Sequence, residues 1–141
     1  MKKVNKGFTL IELLVVIAII VILSTLAVVA LGSARIKSRD GKRVADIRQM
    51  MSALDLYYND AGSYPTLLAT GDSIKTISAT YMAVVPANPS PRNDGNCPSE
   101  DYSYTATGAT PTTYSISYCL GGQTADLGSG THTATPAGIN N

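Results

Sequence analysis

One acidic side chain lies near the start of a long apolar stretch, in the segment KGFTLIELLVV that begins at Lys6. This residue is Glu12, and no charged residue occurs between Leu13 and Ala34. A carboxylate near the middle of a bilayer costs roughly 2.5 kcal/mol or more. A cation paired with the acid lowers that cost. Glu12 therefore indicates an ion-pairing role that requires a partner cation.

The two cysteines, Cys97 and Cys119, are the next residues that could carry chemistry. They could be free buried thiols, part of a metal site without nearby histidines, or a disulfide. If this half of the chain is exported, a disulfide is favoured. His132 is the single histidine, and its place in an irregular tail predicts a solvated side chain.

No pattern of catalytic residues is recognisable in the sequence, because a P-loop, a metal-ligand cluster and a glycine fingerprint are all absent. The sequence therefore predicts a protein that is not an enzyme and has no cofactor. The formal net charge of +1 also argues against a nucleic-acid partner.

The apolar stretch is long enough to cross a membrane, since a bilayer core of about 30 Å requires about twenty apolar helical residues. A cleaved secretory signal with a cut near Ala34 is an alternative, but the stretch is too long for one and contains Glu12. A second alternative is a single-span membrane anchor in which Glu12 has no role. More lysine and arginine residues follow the span than precede it, so the charge rule alone would favour the reverse orientation. The cysteines and the polar composition favour an extracytoplasmic C-terminal half.

The segment KGFTLIELLVVIAII resembles the class III-type prepilin N-terminus of the type IV pilin and type II secretion pseudopilin superfamily. The resemblance implies that residues 1–7 are a leader peptide. Prepilin peptidase would cut between Gly7 and Phe8 and methylate the new amine of Phe8. Glu12 would be the acid recognised by neighbouring subunits during assembly.

The physical chemistry of this segment agrees with the resemblance. A free α-amine on Phe8 has a pKa of about 7.7–8.0, so it is largely cationic at neutral pH. It could pair with Glu12 four residues along the same helix or with Glu12 of a neighbouring subunit. We expect Glu12 to set the packing register. The apolar stretch lacks the proline found in many pilins, which favours a pseudopilin, and only Gly32 and Gly41 would weaken the helix.

The helical pattern continues beyond the membrane segment. The sequence predicts a helix over residues 8–60, with a transmembrane and assembly segment at 8–34 and an amphipathic segment at 35–60. Its apolar stripe contains Val44, Ile47, Met51, Leu54 and Tyr58. Lys42, Asp46 and Asp60 are expected on the opposite face, and the turn residues of NDAGSYP end the helix.

Residues 61–141 are predicted to form a globular β domain containing the disulfide. Alternating residues around Tyr102–Ala106 and Tyr114–Leu120 predict an antiparallel hairpin whose tyrosine face packs on the helix stripe. The fold class is therefore α+β. The segments GSYPT and YMAVVPANP resemble major pseudopilins, which often bind calcium. The sequence does not decide whether this chain binds calcium, because its candidate acids are too scattered for ligands to be named. These acids are Asp94, Glu100, Asp101 and Asp126.

These features together predict a structural subunit of a pilus-like filament or a type II secretion pseudopilus. The precursor is expected to cross the inner membrane once, with its C-terminal domain outside the cytoplasm, before joining a periplasmic or cell-surface filament. The implied partners are further copies of the chain, prepilin peptidase, membrane lipid, an inner-membrane assembly platform and an ATPase motor. The alternative is a membrane-anchored extracytoplasmic binding module that captures a ligand on its tyrosine-rich domain.

Overall fold

The computed structural model describes residues 7–140, so the predicted leader lies outside the described residues except for Gly7. Within this range the chain forms one helix, α1 (Leu10–Ala61), and six strands. The strands are β1 (Ile74–Lys75), β2 (Thr80–Met82), β3 (Ser103–Thr105), β4 (Ser115–Leu120), β5 (Gly130–Thr135) and β6 (Gly138–Asn140). The chain divides into two compact units, the first ending at Arg35 and the second beginning at Ile36.

The first unit is a helix with no buried face. All residues from 7 to 35 are exposed, and the large apolar side chains between Phe8 and Leu31 are 46–81% exposed. Among the described residues, α1 is the one helix long and apolar enough to cross a membrane, with a mean hydropathy of 3.2 in its most apolar window. A helix that is apolar on every side requires lipid or other helices around it. α1 continues unbroken through Gly32 and Gly41.

The amphipathic part of α1 provides one wall of the core of the second unit. Ile47 and Leu54 are fully buried, and the other stripe residues are partly buried, so the predicted stripe is confirmed. The expectation for Asp46 is wrong, because its side chain is buried rather than exposed. α1 is followed by Gly62, which has a φ of 71° and donates its N–H to Tyr58 O at 2.8 Å. Glycine adopts this left-handed conformation at low cost, which explains why the helix ends here.

The strands form two antiparallel sheets. β1 pairs with β2, and the larger sheet has the order β3-β4-β5-β6. The predicted hairpin is β3-β4, in which Tyr104 is opposite Ile116. The buried side chains Tyr114, Ile116, Tyr118 and Leu120 belong to the same core cluster as Ile47 and Leu54. The observed fold is thus the predicted α+β arrangement of a long helix with small antiparallel sheets.

The tail that showed no period in the sequence extends the larger sheet. β5 pairs with β4 and places His132 opposite Tyr118, and β6 pairs with β5. The prediction of a solvated His132 is wrong, because its side chain is buried and its Nε2 lies 2.8 Å from Gly128 O. The ring lies beside Tyr118, with the centroids 5.6 Å apart. His132 therefore belongs to the packed interior of the sheet domain.

Candidate processing and assembly site

Glu12 is held at the start of α1 by Thr9. The backbone N–H and the hydroxyl of Thr9 donate to Glu12 Oε2 at 2.8 and 2.6 Å, and Glu12 N–H donates to Thr9 Oγ1 at 3.3 Å. This reciprocal arrangement is a capping box, in which a threonine and an acid three residues later satisfy unpaired backbone donors. The sequence analysis missed Thr9, although the pattern T-x-x-E in TLIE is its usual signal.

Gly7 and Phe8 precede the helix and are exposed. A Cβ atom built on Gly7 would meet nothing within 4 Å, so the backbone at this position is open. The ring of Phe8 is 81% exposed. The hydrogen bonds of Glu12 within the uncleaved chain come from Thr9. The nitrogen of Phe8 is a peptide amide in this form, so a pair between the Phe8 amine and Glu12 stays a prediction for the processed protein.

The beginning of the second unit carries a buried ion network that the sequence analysis did not predict. Arg43 Nη1 lies 2.6 Å from Asp40 Oδ1, and both side chains are fully buried. Arg43 Nη2 lies 3.0 Å from Asp94 Oδ2. Arg39 donates two hydrogen bonds of 2.6 Å to the same Asp94, from Nε to Oδ2 and from Nη2 to Oδ1. The bond to Arg39 holds the pKa of the Asp94 carboxyl below its usual value.

Backbone groups complete this network. Asp40 accepts the N–H groups of Gly121 and Gly122 at 3.0 and 2.8 Å. Arg43 Nε donates to Asn88 Oδ1 at 2.8 Å. Buried charges are costly unless each is paired and hydrogen-bonded. Because its partners come from a distant loop and from the end of β4, the network connects α1 to both.

Another buried acid, Asp46, lies about one helical turn after Arg43. Tyr102 Oη donates to Asp46 Oδ2 at 3.1 Å, and both residues are buried. Burial raises the pKa of the Asp46 carboxyl, although the bond from Tyr102 and the charge of Lys42 oppose the shift. Burial beside Asp46 also raises the pKa of the Tyr102 hydroxyl. Asp46 is thus an acid that becomes easier to protonate when the domain folds.

The tyrosines of the predicted capture surface face the interior. Tyr102, Tyr114 and Tyr118 are buried in the core cluster. Tyr104 is partly buried, and burial raises the pKa of its hydroxyl to about 12. These side chains pack the domain, which argues against their use as an exposed capture surface.

The structure contains the predicted disulfide between Cys97 and Cys119. It lies beside a close backbone approach: a Cβ on Gly121 would be 2.4 Å from Asp94 Cβ, closer than real Cβ atoms come. The bridge and the ion network therefore hold the same loop against the end of β4.

No group of three metal-ligating side chains occurs within residues 7–140. Two of the four acids considered for calcium have arginine partners, Asp94 with Arg39 and Arg43, and Asp101 with Arg92 at 3.1 Å. The observed donor sets therefore do not form an oxygen cage around these two acids.

Residues 2–32 match the protein family described as the prokaryotic N-terminal methylation motif. This match contains Gly7, Phe8 and Glu12. Over 95 residues the chain is 38% identical to the type II secretion system core protein G of Vibrio cholerae, covering 66% of this chain and 60% of that protein. Over these residues the chain is similar to a core protein of the type II secretion system. The predicted resemblance to the pilin and pseudopilin superfamily is confirmed.

Two further relatives are matched over a smaller part of the chain. The type II secretion system core protein G of Aeromonas hydrophila is 43% identical over 65 residues, which is 46% of each chain. The fimbrial protein EcpC of Eikenella corrodens is 35% identical over 82 residues, 58% of this chain and 54% of that protein. The matched part therefore spans 46–60% of the length of these relatives. No solved structure matches the chain.

Proposed function

We propose that this chain is a structural subunit of a pilus-like filament or a type II secretion pseudopilus. The observation that carries the proposal is the first unit: a helix exposed on every side, with Glu12 as the one acid of its apolar segment. The prepilin-type methylation motif covers the same residues. An exposed apolar helix is stable in lipid and also in a bundle of similar helices, so one segment can serve as anchor and as polymer core.

Processing would create the charge that Glu12 requires. Prepilin peptidase cleaves the peptide bond between Gly7 and Phe8, and the new α-amine of Phe8 is largely cationic at neutral pH. Methylation keeps this charge. Thr9 supplies hydrogen bonds to Glu12 but no positive charge, so the carboxylate remains available for the amine of a neighbouring subunit. The Phe8 amine and Glu12 of adjacent copies would thus fix the packing register.

The proposed location and partners follow from this sequence of cleavage, methylation and assembly. The precursor spans the inner membrane once, with the sheet domain outside the cytoplasm, and then enters a periplasmic or cell-surface filament. Its partners are other copies of the chain, prepilin peptidase, membrane lipid and an inner-membrane assembly platform. An ATPase motor supplies the energy for extraction from lipid.

Mass spectrometry of the full chain, expressed with and without prepilin peptidase, tests this proposal. We expect loss of residues 1–7 and addition of a methyl group on Phe8 only with the enzyme. Negative-stain electron microscopy of cells that contain the assembly system should then show filaments built from the processed chain. An unchanged mass in the presence of the peptidase would instead favour the anchored binding module, and a cut near Ala34 would indicate a secretory signal.

A further inference from the structure

The turn between β1 and β2 presents an isoleucine to solvent. Thr76 N–H donates to Ala79 O at 2.8 Å and closes the turn, and the side chain of Ile77 at its tip is fully exposed. We name Lys75–Ser78 the hairpin knob. Together with Tyr57 and Asp60 of the last turns of α1, these residues line one shared cavity, so the knob lies beside the end of the helix.

A groove of about 410 Å³ lies near the beginning of the second unit, between α1 and the turn that follows β4. We name it the basal groove. Its partly buried apolar residues are Val44, Leu127 and Ile139, and the exposed charges at its edge are Arg48 and Asp126. Within residues 7–140, neither of these charges takes part in a salt bridge.

The knob and the groove complement each other in shape and in charge. Ile77 is an apolar projection, while Val44, Leu127 and Ile139 form an apolar recess. The knob carries the exposed cation Lys75, with the exposed acid Asp60 beside it. The groove edge carries the exposed anion Asp126 and the exposed cation Arg48, so each surface offers one charge of each sign. Opposite charges across an interface orient the partners and exclude wrong ones.

The two surfaces lie at opposite ends of the amphipathic part of α1. Val44 contacts the groove and Tyr57 lies beside the knob, thirteen residues further along the helix. At 1.5 Å per residue these positions are about 20 Å apart. The surfaces of one chain therefore cannot meet each other, but they can meet those of another copy. Contacts between two different surfaces of identical chains build open, head-to-tail polymers.

We propose that the hairpin knob of one copy inserts into the basal groove of the next copy along the filament. Ile77 packs against Val44, Leu127 and Ile139, and Lys75 faces Asp126 of the neighbour. This contact rests on the proposed function, because it joins sheet domains within a filament. It is separate from the pairing of Glu12 with the Phe8 amine.

Disulfide cross-linking in assembled filaments tests the contact. The described residues contain no free cysteine, so introduced thiols are the reactive ones. Full-length chains carrying both Ile77→Cys and Ala125→Cys, which keep both charges, should give a ladder of covalent multimers after oxidation of sheared filaments. Each single variant should remain monomeric under the same conditions. The matched control combines Ile77→Cys with Ala109→Cys, an exposed residue that does not line the groove, and should also give no ladder.

A charge reversal provides a second measurement that does not depend on cysteine. Lys75→Asp should lower filament yield severalfold, because two acids then face each other. Adding Asp126→Lys should restore the yield, whereas Lys42→Asp, an exposed position outside both surfaces, should leave it near that of the wild type.

The outcomes separate this contact from the function on which it rests. Normal filaments without a ladder, or without rescue by the double reversal, overturn the knob-and-groove contact and leave the filament role intact. Absence of wild-type filaments, despite processing and a complete assembly system, overturns the proposed function and this contact with it.

Discussion

Thr9 Oγ1 donates a 2.6 Å hydrogen bond to Glu12 Oε2, while Glu12 N–H donates back to Thr9 Oγ1. The acid therefore has hydrogen-bonding partners within its own chain before any neighbour arrives. A hydroxyl does not neutralise a carboxylate, however, so the electrostatic cost of the acid in lipid remains. Hydrogen bonding and charge pairing at Glu12 are thus separate contributions, and they can be tested separately.

Removing the acid should block assembly without affecting insertion. We expect Glu12→Leu to enter the membrane normally, because the substitution makes the span more apolar. Filaments should be lost, because the Phe8 amine of the neighbour then has no partner. Membrane fractionation and electron microscopy measure the two steps.

Glu100→Leu is the matched control, since it removes an exposed acid in the second unit and should leave both insertion and filaments unchanged. Normal filaments from Glu12→Leu would contradict the proposed pairing.

Removing the hydroxyl of Thr9 should weaken the first turn of α1. Thr9→Val keeps the size of the side chain but loses the two hydrogen bonds of the hydroxyl, and a capping side chain typically contributes about 1 kcal/mol. Hydrogen exchange of the backbone amides at 10–13, measured in detergent micelles, should become faster. Thr9→Ser should retain protection because serine is also a good cap. Equal exchange in Thr9→Val and the wild type would show that the capping box does not hold this turn.

The buried ion network should be a major contributor to the stability of the second unit. Arg43→Met leaves Asp40 and Asp94 buried with fewer partners, and breaking a buried pair in this way costs about 3–5 kcal/mol. Urea unfolding of the full chain in detergent, followed by tyrosine circular dichroism, measures the change.

Lys37→Met, an exposed position on the same helix, serves as the control and should change the free energy of unfolding by less than about 0.5 kcal/mol. A similar small change for Arg43→Met would mean that the network contributes little net stability.

Asp46 should make the domain less stable as the pH rises. Its pKa is raised by burial, so the folded state binds this proton more tightly than the unfolded state. The stability gained from protonation is present below the unfolded pKa of about 3.9 and is lost as pH rises through the folded pKa. Asp46→Asn keeps an oxygen for Tyr102 and removes the titration. Its stability relative to the wild type should therefore increase between about pH 4 and neutral pH.

Asp94 should make the domain less stable as the pH falls, which is the opposite of the pH dependence expected for Asp46. The two acids can therefore be compared in the same protein. Its pKa is lowered by Arg39, so its contribution is present above the unfolded pKa and is lost as pH falls through the folded pKa. Urea titrations at a series of pH values distinguish the two acids. A constant difference between Asp46→Asn and the wild type at all pH values would show that Asp46 does not titrate on folding.

The sequence was sufficient to predict the elements whose buried residues repeat at a short, regular spacing. The spacing of Ile47 and Leu54 marked the buried face of α1, and the alternation from Tyr114 to Leu120 marked β4, because both periods are set by local backbone geometry. The T-x-x-E pattern at Thr9 is likewise a local signal, and it indicates the capping box at the start of α1.

The remaining features depend on contacts between distant residues. Asp40 meets Gly121 and Gly122, which are 81 and 82 residues away along the chain, and no local pattern indicates such a partner. Asp46 was expected on the polar face because it is charged, but Tyr102 satisfies it in the interior. β5 was missed because its threonines hide the alternation of His132 and Ala134, the two buried residues of the strand.

The close approach at Gly121 allows a sharp steric test. A methyl group there would lie 2.4 Å from Asp94 Cβ and 2.9 Å from the Asp94 backbone, so Gly121→Ala must push apart the loop and the end of β4. Overpacking of this kind typically costs 1–3 kcal/mol, and the same movement would strain the bonds from Arg39 and Arg43 to Asp94. Gly122→Ala is the matched control, because its Cβ would make only ordinary contacts at 3.6 Å. Urea unfolding should show a large loss for Gly121→Ala and a change within about 0.5 kcal/mol for Gly122→Ala. Equal stabilities of the two variants would contradict the packing of Asp94 against Gly121 and, with it, the position of the ion network.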